Sequence, residues 1–425
     1  MLTRRPLLIV LGLVLLGIAL WAAVAALRPL PGRSFAMATG PEGSAYAAFG
    51  ERYRAALAVH GVELRLVPSS GSYDNLVKLG DAESGISAAF VQAGTTSTAE
   101  SPDLLSLGTM FYEPLWVFCR CPAETRDVSF HERIGTHVSI GPEGSATRAL
   151  ALRLMKMNNV DLARFRFEAF APERAAEALV GGQLDAVIID SAWEAPAVQR
   201  LLADPSLDLV SFPRADAYVA LMPHLSKVQL PMGVANLALN RPSQDVTLIA
   251  PKAQLVVRSD LHPALQYLLI DAAERIHGGP GVFNGAGGFP APEQIDLPLS
   301  REAQHMYRNG PNFLRRHLPF WLAELVQRLL LLAIPLIGIV YPLTSVAPKV
   351  WRWQIDRRVH SVYRDLLRLE KEMRTTPAGR RRDELHAELD ELEARVARAR
   401  LPDSFAAAVY ELKQNIRFIQ ERYGK

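Results

Sequence analysis

Two identical hexapeptides hold the residue types best suited to chemistry in this chain. They are Gly40-Pro41-Glu42-Gly43-Ser44-Ala45 and Gly141-Pro142-Glu143-Gly144-Ser145-Ala146, 101 positions apart. Each follows a short apolar run, residues 34–38 and 138–140, with the character of a strand. Each leads into apolar residues at helical spacing: Tyr46, Phe49, Tyr53 and Leu57 after the first, Ala149, Leu152 and Met155 after the second. Each is therefore a strand, a glycine turn and a helix with a serine at its start. Unpaired N–H groups and the positive end of the helix dipole meet there, so the chemistry on offer is capture of an anion. One copy alone reads as an ordinary capped helix. Two copies in two α/β halves point to one cleft in which two helix N-termini grip a carboxylate-bearing solute. The candidate ligand residues are Gly43, Ser44 and Tyr46 from the first loop, with Gly144, Ser145 and Thr147 from the second. Arg148, early in the second helix, either reaches the same anion or faces solvent.

The elements that must position these loops alternate between strand-like and helical runs across residues 34–311. Residues 62–67 form a short strand, and Ser69-Ser70-Gly71-Ser72 with Asn75 forms another turn into a helix. A buried-type strand, 86–91, ends at Gln92. A further strand, Leu115–Cys119, carries the chain from one lobe to the other. A helix over 175–182 precedes a strand at 185–189, which ends in Asp190-Ser191. Strands at 207–212 and 255–258 and a helix over 263–277 follow, with a return to the first lobe near Tyr218. This alternation predicts α/β layers with largely parallel pairing. Ligands of open α/β sheets sit beyond the carboxyl ends of strands. Ser44, Ser72, Gln92, Ser145 and Ser191 fall at such ends, and Ser70 and Asn75 share the serine-rich turn. Gln92 and Ser191 fit a plain turn as well as they fit ligand contact.

At 425 residues the chain is too long for one ordinary domain, and a net charge of +3 with 49% apolar residues excludes disorder and bulk nucleic-acid binding. Cys119 and Cys121 stand one residue apart, too few for a zinc site or a disulfide framework, and are expected to be thiols at a strand end. Residues 1–33 carry Arg4 and Arg5 before an uncharged apolar run at 7–27, expected to be a membrane anchor or a cleaved signal. Residues 312–347 read as an interfacial helix leading into a second span at 329–347, uncharged but broken by Pro335 and Pro342. Lys349, Arg352, Arg357 and Arg358 follow, so residues 348–425 are expected in the cytoplasm and 34–311 outside an inner membrane. The tail shows three apolar stripes at helical spacing. Leu385, Leu389, Leu392 and Val396 either mediate self-association or close an intramolecular hairpin.

In order along the chain, T-G-P-E-G-S-A-Y, V-P-S-S-G-S-Y-D-N-L, a strand ending V-Q, I-G-P-E-G-S-A-T-R and L-V-G-G-Q-L-D-A-V resemble the TAXI solute-binding subunits of TRAP transporters. The resemblance continues through L-V-V-R-S-D-L-H-P-A, F-P, L-P-F-W-L-A and P-K-V-W-R-W, and so covers nearly the whole chain. It is similar to the membrane-anchored branch with a cytoplasmic tail. The resemblance implies a periplasmic-binding-protein fold of two α/β lobes with a hinge, lobe 1 over about 34–118 and 218–300 and lobe 2 over about 119–217. It implies extracytoplasmic capture of a small carboxylate, such as glutamate, glutamine or a dicarboxylate, for a TRAP membrane permease. Two departures bear on the ligand: Ser44-Ala45-Tyr46 and Ser145-Ala146-Thr147 replace loops that the family writes with more glycine and threonine. Glu42 and Glu143, if they face the cleft, would favour an ammonium group. An enzyme is not expected: the histidines lack H-E-x-x-H spacing and the hexapeptide lacks the ending of a phosphate loop. No cofactor or metal is implied. A membrane-anchored sensor signalling through the tail is the alternative.

Overall fold

The structure is a computed structural model that describes residues 31–121, 130–310, 317–323, 347–377, 379–398 and 406–423, with scattered positions at 17 and between 325 and 337. The chain divides into two compact units, one of them Leu27–Gln327, the other containing Arg328–Lys425.

The first unit holds two five-stranded sheets. One is formed by β1 (Ser34–Ala38), β2 (Glu63–Val67), β3 (Ile86–Gln92), β4 (Leu104–Tyr112) and, far later in the chain, β12 (Lys252–Arg258), in the order β2-β1-β3-β12-β4. The other is formed by β5 (Leu115–Cys119), β6 (His137–Ser139), β7 (Arg166–Glu168), β8 (Ala186–Asp190) and β9 (Asp208–Leu209), in the order β7-β6-β8-β5-β9. A separate ribbon pairs β10 (Ser226–Leu230) with β11 (Val246–Ala250). Parallel pairing is confined to β2-β1-β3 and β7-β6-β8; β12 and β5 run antiparallel to their neighbours. Parallel neighbours need a long crossover, usually a helix. The β1–β3 and β6–β8 segments have one, whereas β5 and β12 arrive straight from the other lobe.

The crossings are short. Glu113-Pro114 joins β4 to β5, and Pro251 joins β11 to β12. The Glu113 N–H donates to the Pro251 carbonyl at 2.9 Å, which ties the two passages together.

The two sheets repeat each other in register. Ala38 pairs with Ala89, and Ser139, at the matching place before its hexapeptide, pairs with Val187. Three residues beyond those partners stand Gln92 and Asp190, so these two end equivalent strands.

Each hexapeptide opens a helix: α1 (Ala45–Ala58) and, after α2 (Ser72–Gly80), α3 (Ala146–Met157). The lobes are completed by α4 (Pro172–Val180), α5 (Pro196–Ala203), α6 (Pro263–His277) and α7 (Arg301–Asn309). The periodic apolar face of α1 is the core face: Tyr46, Phe49, Tyr53 and Leu57 are all buried, against Phe90 and Phe111. His277, the last residue of α6, is drawn into the same cluster, 4.6 Å from the Phe49 ring and 5.3 Å from Phe111 between centroids. Burial, helped by the Arg52 charge, pushes its imidazole down to about 3. A depressed value contributes stability that is present above the unfolded value near 6.5 and is lost as pH falls toward the folded one. Between pH 7 and pH 5 that loss is about 2 kcal/mol. His277→Phe is therefore expected to flatten the decline in stability over this range by that amount. Urea unfolding at both pH values checks it, and an unchanged slope would contradict it.

Cys119 and Cys121 correct an expectation: they are joined as a disulfide rather than free. Their Cα atoms stand 5.2 Å apart, within the ordinary span of a bridge, so one intervening residue suffices once the chain leaves β5.

Among its described residues the second unit contains the helices α8 (Ala347–Thr375), α9 (Arg380–Arg398) and α10 (Ala406–Tyr423). Leu385, Leu389, Leu392 and Val396 of α9 pack against Leu366, Leu369 and Met373 of α8 and Leu412, Ile416 and Ile419 of α10. The stripe read as a contact for self-association is thus buried inside the chain, at 5% exposure or less. The expectation of two membrane-spanning helices is also corrected: among the described residues no helix is long and apolar enough to cross a membrane. The described helices of the first unit stop at 15 residues or fewer, short of the roughly 20 a span needs. Those of the second unit are longer but carry charges along their length. Residues 7–27, Gly17 aside, and most of 329–347 lie outside the described residues.

Candidate functional site

The two hexapeptide loops open on one cavity between the lobes of the first unit. Gly43 and Gly144 take the same left-handed conformation, φ +78° and +77°, which a side chain would resist. That turn sets Ser44 and Ser145 in extended conformation as N-caps. Ser44 Oγ accepts from the Ala47 N–H at 3.3 Å. Ser145 Oγ accepts from the Arg148 N–H at 3.2 Å and donates to the Pro142 carbonyl at 2.6 Å. The Ser145 hydroxyl is thus committed to its own loop and helix, and the Ser44 oxygen caps its own helix. With Ala47 and Arg148 capped, the first-turn N–H groups of Tyr46, Ala146 and Thr147 have no intrahelical acceptor, and all three residues line the cavity.

The lobes touch around the cavity. Gly43 lies against the Glu173 side chain, and a Cβ on Gly71 would stand 3.2 Å from the Ser145 Cα. The Ala45 N–H, in the first turn of α1, donates across to Ser191 Oγ at 3.3 Å. Ser191 is held in turn by Trp116, whose indole N–H donates to the Ser191 carbonyl at 2.8 Å. About 50 Å³ of the cavity is open to the centres of water-sized groups.

Of the candidate residues, Ser44, Tyr46, Ser70, Ser72, Gln92, Ser145, Thr147 and Ser191 line the cavity. Gly43, Asn75, Gly144 and Arg148 do not. Gly43 and Gly144 shape the turns. The Asn75 amide is bound to the carbonyls of Thr39 and Phe90 at 2.6 and 2.8 Å, which fastens α2 to the strand ends. The Arg148 guanidinium folds back on the Gly141 carbonyl at 3.4 Å. Glu42 and Glu143 are exposed and outside the lining.

The acids that do line the cavity are Glu113, from the crossing between sheets, and Asp190, at the end of β8. A relay of hydrogen bonds ends on Glu113. The Gln92 N–H donates to Ser72 Oγ at 3.0 Å, and Ser72 shares a 3.1 Å bond with the Tyr46 hydroxyl. Tyr46 donates to Glu113 Oε2 at 2.9 Å, so the Ser72 proton points to Tyr46. Burial first, then the Glu113 charge, holds the Tyr46 phenol well above its usual range and keeps it a donor. Burial, then the neighbouring Asp190, lifts Glu113 well above the carboxylate range; Asp190 is raised by its own burial. Neither Asp190 oxygen has a partner of good hydrogen-bond geometry, and the nearby Gln92 amide opposes the rise without cancelling it. Sequence reasoning passed over both acids, although A-V-I-I-D ends an apolar strand on a charge beside Ser191, and Glu113 is a lone acid between two apolar strands.

A family model described as the NMT1-like family matches residues 37–273, more than half of the chain. No protein of curated function matches it. Among solved structures the chain is similar to a protein from Bordetella bronchiseptica RB50, with 13% identity, 59% of this chain and 74% of that one covered, and a TM-score of 0.40. An ABC transporter periplasmic substrate-binding protein from Coxiella burnetii matches at 14% identity over 58% of this chain and 93% of that one, TM-score 0.33. The periplasmic aliphatic sulphonate binding protein SsuA from Escherichia coli matches at 12% identity over 57% and 72%, TM-score 0.35. TM-scores this low leave the architecture to be read from the chain's own sheets.

Proposed function

We propose that this chain, which belongs to the NMT1-like family, is an extracytoplasmic solute-binding protein whose two lobes close over a small carboxylate-bearing solute. One observation carries the reading: two helix N-termini, built on the same glycine turn, open into one cavity between the lobes. Backbone N–H groups and helix dipoles there favour a carboxylate. The Cys119–Cys121 bridge fits an oxidising compartment outside the cytoplasm. The solute would be an amino acid such as glutamate or glutamine, or a dicarboxylate, passed to a membrane permease of the TRAP type that the sequence resemblance implies.

A thermal-shift screen of the full chain against amino acids and dicarboxylates tests this. A binder at 100 times its dissociation constant stabilises the fold by roughly 2.7 kcal/mol. Ser44→Ala and Ser145→Ala each remove a cap, about 1 kcal/mol of helix stability, and loosen the N–H groups beside it. Each is expected to weaken binding several-fold, the size of the ~1 kcal/mol that a lost cap removes. Unchanged affinity in both variants would remove the paired-loop reading.

A further inference from the structure

The floor of the cavity holds polar groups that the chain, the Gln92 amide near Asp190 included, leaves without a hydrogen bond of good geometry. Both Asp190 oxygens are shut off from solvent without a partner of good geometry. Ser139, on the equivalent strand end of β6, is fully buried, and its hydroxyl is also unpartnered. Glu113 is 3% exposed and receives Tyr46 on one oxygen. Buried polar groups are hydrogen-bonded in nearly all native structures, and an exception calls for a partner from outside the chain. That partner must donate several hydrogen bonds and bring positive charge to two carboxyl groups. A water molecule donates two and brings none. Calcium takes six or more oxygens, and no cluster of three or more His, Cys, Asp or Glu side chains suited to a metal occurs among the described residues. An ammonium group donates three hydrogen bonds from one compact cation.

We infer that Glu113, Asp190 and Ser139 form a subsite for a protonated primary amine, so that the solute is a zwitterion with its carboxylate at the N-termini of α1 and α3. This rests on the reading of the cleft as a solute site and narrows its ligand class: amino acids bind, and dicarboxylates of the same length do not. The raised Asp190 and Glu113 agree, since the pair awaits a counter-charge. Gln92 and Asp190 end equivalent strands, yet only the second lobe places an acid there.

The test measures binding to the full chain at neutral pH for two sets of probes. One is the twenty L-amino acids, the other their desamino counterparts, which keep the carboxylate and lose only the amine. An amino acid is expected to bind at least tenfold tighter than its counterpart. Asp190→Asn is expected to erase that preference while raising the melting temperature of the unliganded protein, because a buried acid whose ionisation burial opposes is replaced by a neutral amide. A desamino acid that binds as tightly as its parent overturns the amine subsite and leaves the cleft reading standing. So does an Asp190→Asn protein that keeps the preference or melts lower, which marks the carboxyl as structural. If neither set binds, the cleft reading fails and the subsite with it. The comparison of paired probes on the unaltered protein needs no variant to fold.

Discussion

Trp116→Ala is expected to destabilise the first unit by about 3–5 kcal/mol, the range for emptying a large aromatic from a core. Trp116 is fully buried in β5, opposite Ile189 of β8. Its ring lies between Phe118, Trp193 and Phe283, with centroids 6.1–6.3 Å away. Its indole N–H also holds the Ser191 carbonyl, and Ser191 receives the α1 N-terminus from the other lobe. The substitution therefore removes packing and frees one end of the contact across the cavity. Trp116→Phe separates the two roles: it keeps most of the packing and leaves a buried carbonyl unpaired, a loss of ~1–3 kcal/mol. Urea unfolding of the three proteins measures the ladder. An alanine variant within about 1 kcal/mol of the parent would mean that this aromatic group does not hold the second lobe.

The second large effect belongs to the C-terminal helices. Leu389 is fully buried at the centre of the α8–α10 cluster. Truncating a buried leucine costs ~2–5 kcal/mol, and an unpaired buried carboxylate adds several more. Leu389→Glu is expected to melt the three-helix packing, seen as lost far-UV ellipticity and rapid proteolysis between residues 347 and 423 of the full chain. If the variant instead keeps its helix content and only falls to a smaller oligomer, the leucine stripe is a contact between copies.

Local patterns were legible because they need no knowledge of topology. The 46, 49, 53, 57 spacing marks the core face of α1, and all four residues are buried there. The repeated hexapeptide marks two strand–helix junctions, and β1 with α1 and β6 with α3 stand at them. The antiparallel arrival of β5 and β12 was not legible, because it depends on where the chain passes between lobes. Glu113 escaped notice for the same reason: a single acid between two apolar strands becomes part of a cavity only when those strands join different sheets. The leucine stripe of α9 could be read as buried, but not against what. The cysteine pair was misjudged because sequence separation says nothing about how the backbone turns after a strand.

The duplicated register of the two sheets has a consequence for how a solute can lie in the cleft. Two matching walls facing each other would accept a rod-shaped guest in either of two head-to-tail orientations at equal energy. Gln92 on one wall and Asp190 on the other break that degeneracy: they stand at equivalent strand ends and the Gln92 amide leans on the Asp190 carboxyl, so the exchange marks one place where the walls meet rather than two ends of the cleft. A solute with unlike ends would meet that one polar spot, and its direction would follow from which end suits it.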